Sequence, residues 1–358
     1  MAGMRQQRVE VNGIHLHIRC QGEGPWVVLC HGYPGHWSNW RSQMQVLADA
    51  GYTAVVPDMR GYGQSSRPDD VSAYNMNQQI GDMCGLLDAF GIQQAVFVGQ
   101  DFGASLVWNL ALRQPERVRA VVGISVPFDH DYYGRSCMGH LPEAQLQALH
   151  ADSLLVASPL HPPSVGFAAI AEQQFLHAQY FQRPGVADRE LGHNAGEFLR
   201  RIYWALSAEG SLGDWASFPS QGTAYLDVLP PAPSLPWPWM SEDDMAVIVD
   251  DYLRAGADNA FSGALASYRV ADENWHIGAA YAAQNITVPA LFIAGEADPV
   301  VASLDDEMVA RMRQRIPDLQ PLVLVPDAGH FVQLEKPEPV NSAISAFLTL
   351  LAAAARAT

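Results

Sequence analysis

Residues 95–113 read AVFVGQDFGASLVWNLALR. Ala95–Val98 is a short apolar run with strand-forming residues, and from 103 to about 114 apolar residues recur at helical spacing. Between them Gly99-Gln100-Asp101-Phe102-Gly103 makes a tight turn. A strand that turns at once into a helix between two glycines lifts the residue at the apex clear of the sheet. Here that residue is Asp101, and the start of the following helix favours its negative charge. A turn aspartate that only caps a helix has the same local sequence, so the surroundings must decide. No G-x-S-x-G occurs in the 358 residues, so no serine competes for the apex.

Outward from this elbow, the first 128 residues alternate apolar runs with amphipathic stretches. Val9–Val11 and His15–Cys20 form a hairpin pattern around Asn12-Gly13. Trp26–Cys30, Thr53–Pro57 and Val118–Ser125 read as further buried strands, with helices at 37–50 and 74–90. The alternation returns late, with a strand at Ala290–Ala294, a helix at 303–316, a strand at Pro321–Val325 and a closing helix from 337. Between 130 and 272 there is helical periodicity and hardly a strand. That stretch contains PPAPSLPWPWMSEDDM (230–245), which reads as a rigid connection, with Ser241 and Asp244 spaced to cap a new helix. The pattern predicts a core over 1–129 and 273–358, interrupted by a helical cap over 130–272.

Composition narrows the function classes. A formal net charge of −17 repels nucleic acid and disfavours an anionic substrate. Cys20, Cys30, Cys84 and Cys137 have no CxxC spacing, which predicts neither a disulfide framework nor a metal site. The opening MAGMRQQRVEVNGIHLHIRC lacks the apolar core of a signal peptide. No run of roughly eighteen apolar residues occurs, which predicts no membrane span. The expectation is a soluble cytoplasmic protein.

Two more groups follow Asp101 in the order nucleophile, acid, histidine. Asp298 lies just past the strand Ala290–Ala294 in Gly295-Glu296-Ala297-Asp298-Pro299, and His330 just past Pro321–Val325 in Asp327-Ala328-Gly329-His330. Parallel sheets present ligands at the carboxyl ends of their strands, so these groups can converge. Glu296, Asp327 and Asp129 rank below Asp298 as the acid that orients His330. After Trp26–Cys30 comes His31-Gly32-Tyr33-Pro34. There the amides of Tyr33 and Phe102 are candidates for an oxyanion hole, and Tyr33-Pro34 is a candidate cis peptide. His31 is read chiefly as a hydrogen-bonding residue of this loop.

HGYP (31–34), DMRGYGQSSRP (58–68), GQDFG (99–103), GEADPV (295–300), GHFVQLEKP (329–337) and QYFQRPGVADREL (179–191) resemble the epoxide hydrolase branch of the α/β-hydrolase fold, the soluble epoxide hydrolases of animals and plants in particular. The resemblance implies an eight-stranded, mostly parallel sheet flanked by helices and an inserted helical cap. It implies an Asp101 ester formed on an epoxide and hydrolysed by water that His330 activates. Eleven methionines, nine tryptophans and an aromatic-rich cap predict an apolar pocket for a neutral, lipophilic epoxide; no cofactor and no metal ion are expected, and monomer and homodimer both stay open. The resemblance also implies two cap tyrosines as proton donors to the leaving oxygen. Tyr268 in ALASYR (264–269) matches one; at the other position stands His177, with Tyr180 as a possible substitute. His177 would make activity more sensitive to alkaline pH than a tyrosine pair. His31, Pro34 and Tyr180 are expected along the substrate wall.

Two alternatives stay open. Carbon–halogen hydrolases of this fold share the aspartate nucleophile. Those acting on haloalkanes follow it with tryptophan, here Phe102. Those acting on fluoroacetate follow the cap histidine with tryptophan, here Ala178, and place arginines just after the nucleophile, where this chain has Phe102, Gly103, Ala104 and Ser105. A purely ligand-binding member of the fold is the other alternative.

Overall fold

The computed structural model describes residues 3–128, 161–302 and 304–357. Asn12 and Gly13 both adopt positive φ, 44° and 75°, the conformation a two-residue hairpin needs. They join β1 (Arg5–Val11) to β2 (Ile14–Gln21) in antiparallel register. The remaining strands are β3 (Trp26–Cys30), β4 (Thr53–Pro57), β5 (Ala95–Gln100), β6 (Val118–Ile124), β7 (Ala290–Gly295) and β8 (Val323–Val325). The sheet order is β1-β2-β4-β3-β5-β6-β7-β8. β2 is antiparallel to β4, and every pairing from β4 to β8 is parallel. β4, β5 and β7 are buried along their whole length, as strands with helices on both faces must be.

The strand limits differ from expectation by more than one residue at three places. β1 begins at Arg5, four residues before Val9, because its first residues are polar and exposed and carry no apolar signal. β5 runs on to Gln100, so Asp101 is the first residue beyond the sheet. β8 is only Val323–Val325.

Helices α1 (Arg41–Asp49), α2 (Met76–Ala89) and α3 (Phe102–Arg113) alternate with the early strands. Between β6 and β7 lie α4 (Pro163–Ala171), α5 (His177–Phe181), α6 (Val186–His193), α7 (Ala195–Ala205), α8 (Tyr225–Val228), α9 (Glu242–Leu253), α10 (Ser262–Arg269) and α11 (Ala271–Gly278). The only strand-like pairing among the described residues there is the bridge Trp237↔Met240. Ser241 caps α9 by accepting from the Asp244 amide at 3.0 Å. Trp237, in the Pro-Trp-rich connection, is buried against Trp204 at 5.1 Å.

The chain closes with α12 (Asp306–Arg315), α13 (Val332–Glu335) and α14 (Pro337–Ala357). By length and composition α14 is long and apolar enough to cross a membrane, with a mean hydropathy of 1.3. Alanines interspersed with serine, threonine and asparagine give it that average without an unbroken apolar run. Its Val340, Ile344, Phe347 and Leu348 are buried in the cluster that covers one sheet face with Val27, Val96 and Ile293.

The cap helices rest directly on the core loops. Tyr252 of α9 donates to the Gly35 carbonyl at 3.1 Å, and His36 Nε2 lies 2.8 Å from Asp251. Tyr203 of α7 stacks on Phe331, with ring centroids 4.2 Å apart.

Candidate active site

Asp101 sits at the turn between β5 and α3 with φ 56° and ψ −125°. A non-glycine residue in such a conformation carries strain of order 1–3 kcal/mol, which surrounding structure must hold. Neighbouring glycines make the approach possible. A Cβ at Gly103 would lie 2.1 Å from the Cys30 carbonyl oxygen, and one at Gly32 would lie 2.3 Å from Asp101 Oδ1. The Tyr33 amide donates to Asp101 Oδ1 at 2.7 Å, and the Tyr33-Pro34 peptide is cis. The other oxygen, Oδ2, faces His330 Nε2 at 3.6 Å. Phe102, whose amide opens α3, follows directly.

His330 lies beyond β8 and is buried. Its Nδ1 meets Asp298 Oδ2 at 3.0 Å and Oδ1 at 3.2 Å. Asp298, past the end of β7 and also buried, accepts the Val300 amide at 2.9 Å. Glu296 and Asp327 are exposed, so neither is the buried partner of His330. Asp129 lies outside the described residues. Burial opposes charge on His330, yet the Asp298 and Asp101 carboxylates push its pKa up to about 10. The His330 backbone is held as firmly as its ring. Its amide donates to Leu206 at 2.9 Å, and its carbonyl accepts from Ser125 Oγ at 2.7 Å and Gln100 Nε2 at 3.2 Å.

Across from Asp101 stand the cap aromatics. Tyr268 of α10 is buried with its ring 4.9 Å from Phe102, 4.9 Å from Phe181 and 5.7 Å from Tyr33. His177 opens α5, with its ring 5.7 Å from Tyr268 and 5.2 Å from Trp215. Burial pulls its pKa down to about 4, against the pull of the Asp101 charge. His177 is therefore neutral at pH 7, and the alkaline sensitivity expected of a protonated donor does not follow from it. Its Nδ1 is buried without a hydrogen-bond partner.

The three residues expected along the substrate wall have other engagements or lie deeper. Tyr180 donates its hydroxyl to Glu190 at 2.6 Å, and Glu190 also accepts the amides of Tyr225 and Leu226, so Tyr180 serves the cap's own network. His31 has both ring nitrogens in use: Nε2 accepts the Met59 amide at 3.2 Å, which leaves Nδ1 to donate to the Gly32 carbonyl at 3.1 Å. Pro34 is buried next to Tyr33. Sequence reading missed Trp215, Phe181 and Tyr225 around His177, because aromatics drawn from separate helices leave no local pattern.

Comparison with known proteins agrees with this geometry. The family model for the alpha/beta hydrolase fold matches residues 25–337. The chain is 36% identical to Epoxide hydrolase A of Mycobacterium tuberculosis, over 98% of each chain. It is 33% identical to the Bifunctional epoxide hydrolase 2 of Sus scrofa, over 92% of this chain and 52% of that protein. The crystal structure of Epoxide Hydrolase A from Mycobacterium thermoresistibile superposes with a TM-score of 0.81 at 36% identity, covering 97% of this chain and 98% of that one. An epoxide hydrolase from an endophytic Streptomyces gives a TM-score of 0.82 at 31% identity, covering 98% and 96%. With an aspartate at the elbow, a histidine between two carboxylates and relatives matched over nearly its whole length, this chain belongs to the epoxide hydrolase family of the α/β-hydrolase fold.

Proposed function

We propose that the chain hydrolyses a neutral, lipophilic epoxide to a vicinal diol through an ester on Asp101. The observation that carries this reading is the inequality of the two Asp101 oxygens. Oδ1 is already bound by the Tyr33 amide, while Oδ2 stands free of it at 3.6 Å from His330. Oδ2 is therefore the nucleophile, a carboxylate oxygen that needs no base to attack. It bonds to an epoxide carbon as the ring C–O bond breaks, and the electron pair stays on the departing oxygen. Tyr268 and neutral His177 stabilise that alkoxide by hydrogen bonding; with Nδ1 sealed off, Nε2 is the His177 nitrogen available.

Esterification removes the Asp101 charge, one of the two that hold the His330 proton. That proton leaves, balancing the one the alkoxide takes up, and His330 becomes a base. It then accepts a proton from water as the water oxygen adds to Asp101 Cγ. Negative charge develops on Oδ1, where the Tyr33 amide and, in this reading, the Phe102 amide receive it. The intermediate collapses with cleavage of the Cγ–Oδ2 bond, which releases the diol and restores the carboxylate. Asp298 keeps His330 oriented throughout.

Halide release is disfavoured by the same surroundings. The indole of Trp215, the tryptophan beside His177, donates to the Leu212 carbonyl at 2.6 Å and is committed there. In this reading the cap comprises 130–272 and the core 1–129 and 273–358. A cytoplasmic, cofactor-free enzyme fits the free thiols of Cys20, Cys30 and Cys84. The decisive test exposes the His330→Gln variant briefly to styrene oxide and maps adducts by peptide mass spectrometry. The peptide containing Asp101 is expected to gain the mass of the epoxide; an unmodified Asp101 would remove it from the mechanism.

A further inference from the structure

Glu335, the last residue of α13, stands five residues after His330 and has no assigned role. Its carboxylate is largely buried, and among the described residues its hydrogen-bond partners are all backbone amides. Oε2 accepts from Gly329 at 2.9 Å and from Ala208 at 2.9 Å, while Oε1 accepts from Phe331 at 3.2 Å. Gly329 and Phe331 flank the catalytic histidine. Ala208 belongs to the cap, three residues beyond the end of α7.

A second tie runs between the same two turns. The His330 amide donates to the Leu206 carbonyl, and a Cβ at Gly329 would lie 2.4 Å from that oxygen. Tyr203, on the last turn of α7, stacks on Phe331. The end of α7 and the turn 329–331 thus form one interlocked unit. Among the described residues, Glu335 is the side chain that accepts from both partners at once.

We propose that Glu335 is a positioning residue for His330: its carboxylate locks the histidine turn to the cap turn 206–208, so that the base is aligned on Asp101 only while the cap is seated. This rests on the two-step reading above, in which alkylation depends on Asp101 and the cap donors while ester hydrolysis depends on the base. Loosening the lock should therefore slow the second step selectively. In Glu335→Gln the single amide oxygen can hold only one of the two positions, so the simultaneous grip on Gly329 and Phe331, on either side of His330, is lost.

The test follows single turnovers of styrene oxide by rapid quench and mass spectrometry of the alkyl-enzyme, in the full-length wild type and in Glu335→Gln. The ratio of hydrolysis rate to alkylation rate is expected to fall by about tenfold or more, with the alkyl-enzyme accumulating. A ratio unchanged from wild type overturns the proposal, even if both rates or the melting temperature fall, since that is the mark of a purely structural residue. Should Glu335→Gln not fold, the same ratio is read in Ala208→Pro, which deletes the cap-side donor and is expected to shift it the same way. Absence of any alkyl-enzyme in the wild type would instead strike at Asp101 and the two-step reading, so the two failures are distinguishable.

Discussion

The two halves of the site are built on opposite electrostatic principles. On the core side Asp101, Asp298 and His330 sit at strand ends, and two carboxylates hold the histidine as a cation up to about pH 10. On the cap side His177 and Tyr268 sit among aromatic rings, and burial holds the histidine neutral down to about pH 4. Two histidines in one site therefore titrate on opposite sides of neutrality. In the proposed mechanism this difference gives proton abstraction to the charged half and hydrogen-bond donation to the apolar one.

The largest break in this comparison comes from Asp101→Ser. In the proposed mechanism His330 activates water rather than a serine, so diol formation should fall by about 10⁴-fold or more. Next is Asp298→Asn, which removes one of the charges holding the His330 proton and its orienting partner. Ester hydrolysis should fall by about 10²–10⁴-fold while alkylation persists, as measured in single turnovers. His177→Phe should do the reverse, slowing alkylation by about tenfold to a hundredfold with hydrolysis nearly unchanged. Equal rates in wild type and variant would reduce His177 to a packing residue.

Stability against pH sharpens the same contrast. The folded-state pKa of His330 is raised from 6.5 to about 10, so its contribution is complete below about pH 6.5 and is lost as pH rises through 10. That of His177 is lowered from 6.5 to about 4, so burying it neutral is undisturbed above about pH 6.5 and costs stability as pH falls through 4. Denaturant melts across pH should show His330→Gln flattening the alkaline limb and His177→Phe the acid limb. The smallest expected effect is Tyr180→Phe, which loses one hydrogen bond to Glu190, about 0.5–1.5 kcal/mol of stability, and leaves kcat unchanged.

The contrast also explains what the sequence could disclose. The sheet was legible because β3 to β7 are short apolar runs whose burial on both faces leaves a compositional mark. Asp101 and Asp298 could be picked out because they come one and three residues after such runs, and His330 because it follows the short apolar run that ends in β8. β1 was read short because its opening residues are polar and exposed and leave no apolar mark. The role of Tyr180 as a network residue depends on Glu190, whose proximity only the folded chain brings about. For the neutral state of His177 no local signal exists: it comes from burial among Trp215, Tyr225 and Phe181, residues up to 48 positions away that are assembled by the cap.

In the proposed mechanism, the unequal grip on the Asp101 carboxylate gives the enzyme a memory one turnover long. When the ester is cleaved at Cγ, the oxygen taken into the diol is the one that faced His330, and the incoming water's oxygen takes its place. Because Oδ1 stays on the Tyr33 amide, the carboxylate has no occasion to flip before the next epoxide arrives. In water enriched with oxygen-18, the first diol should be unlabelled and each later one should carry the heavy isotope from the water of the preceding cycle.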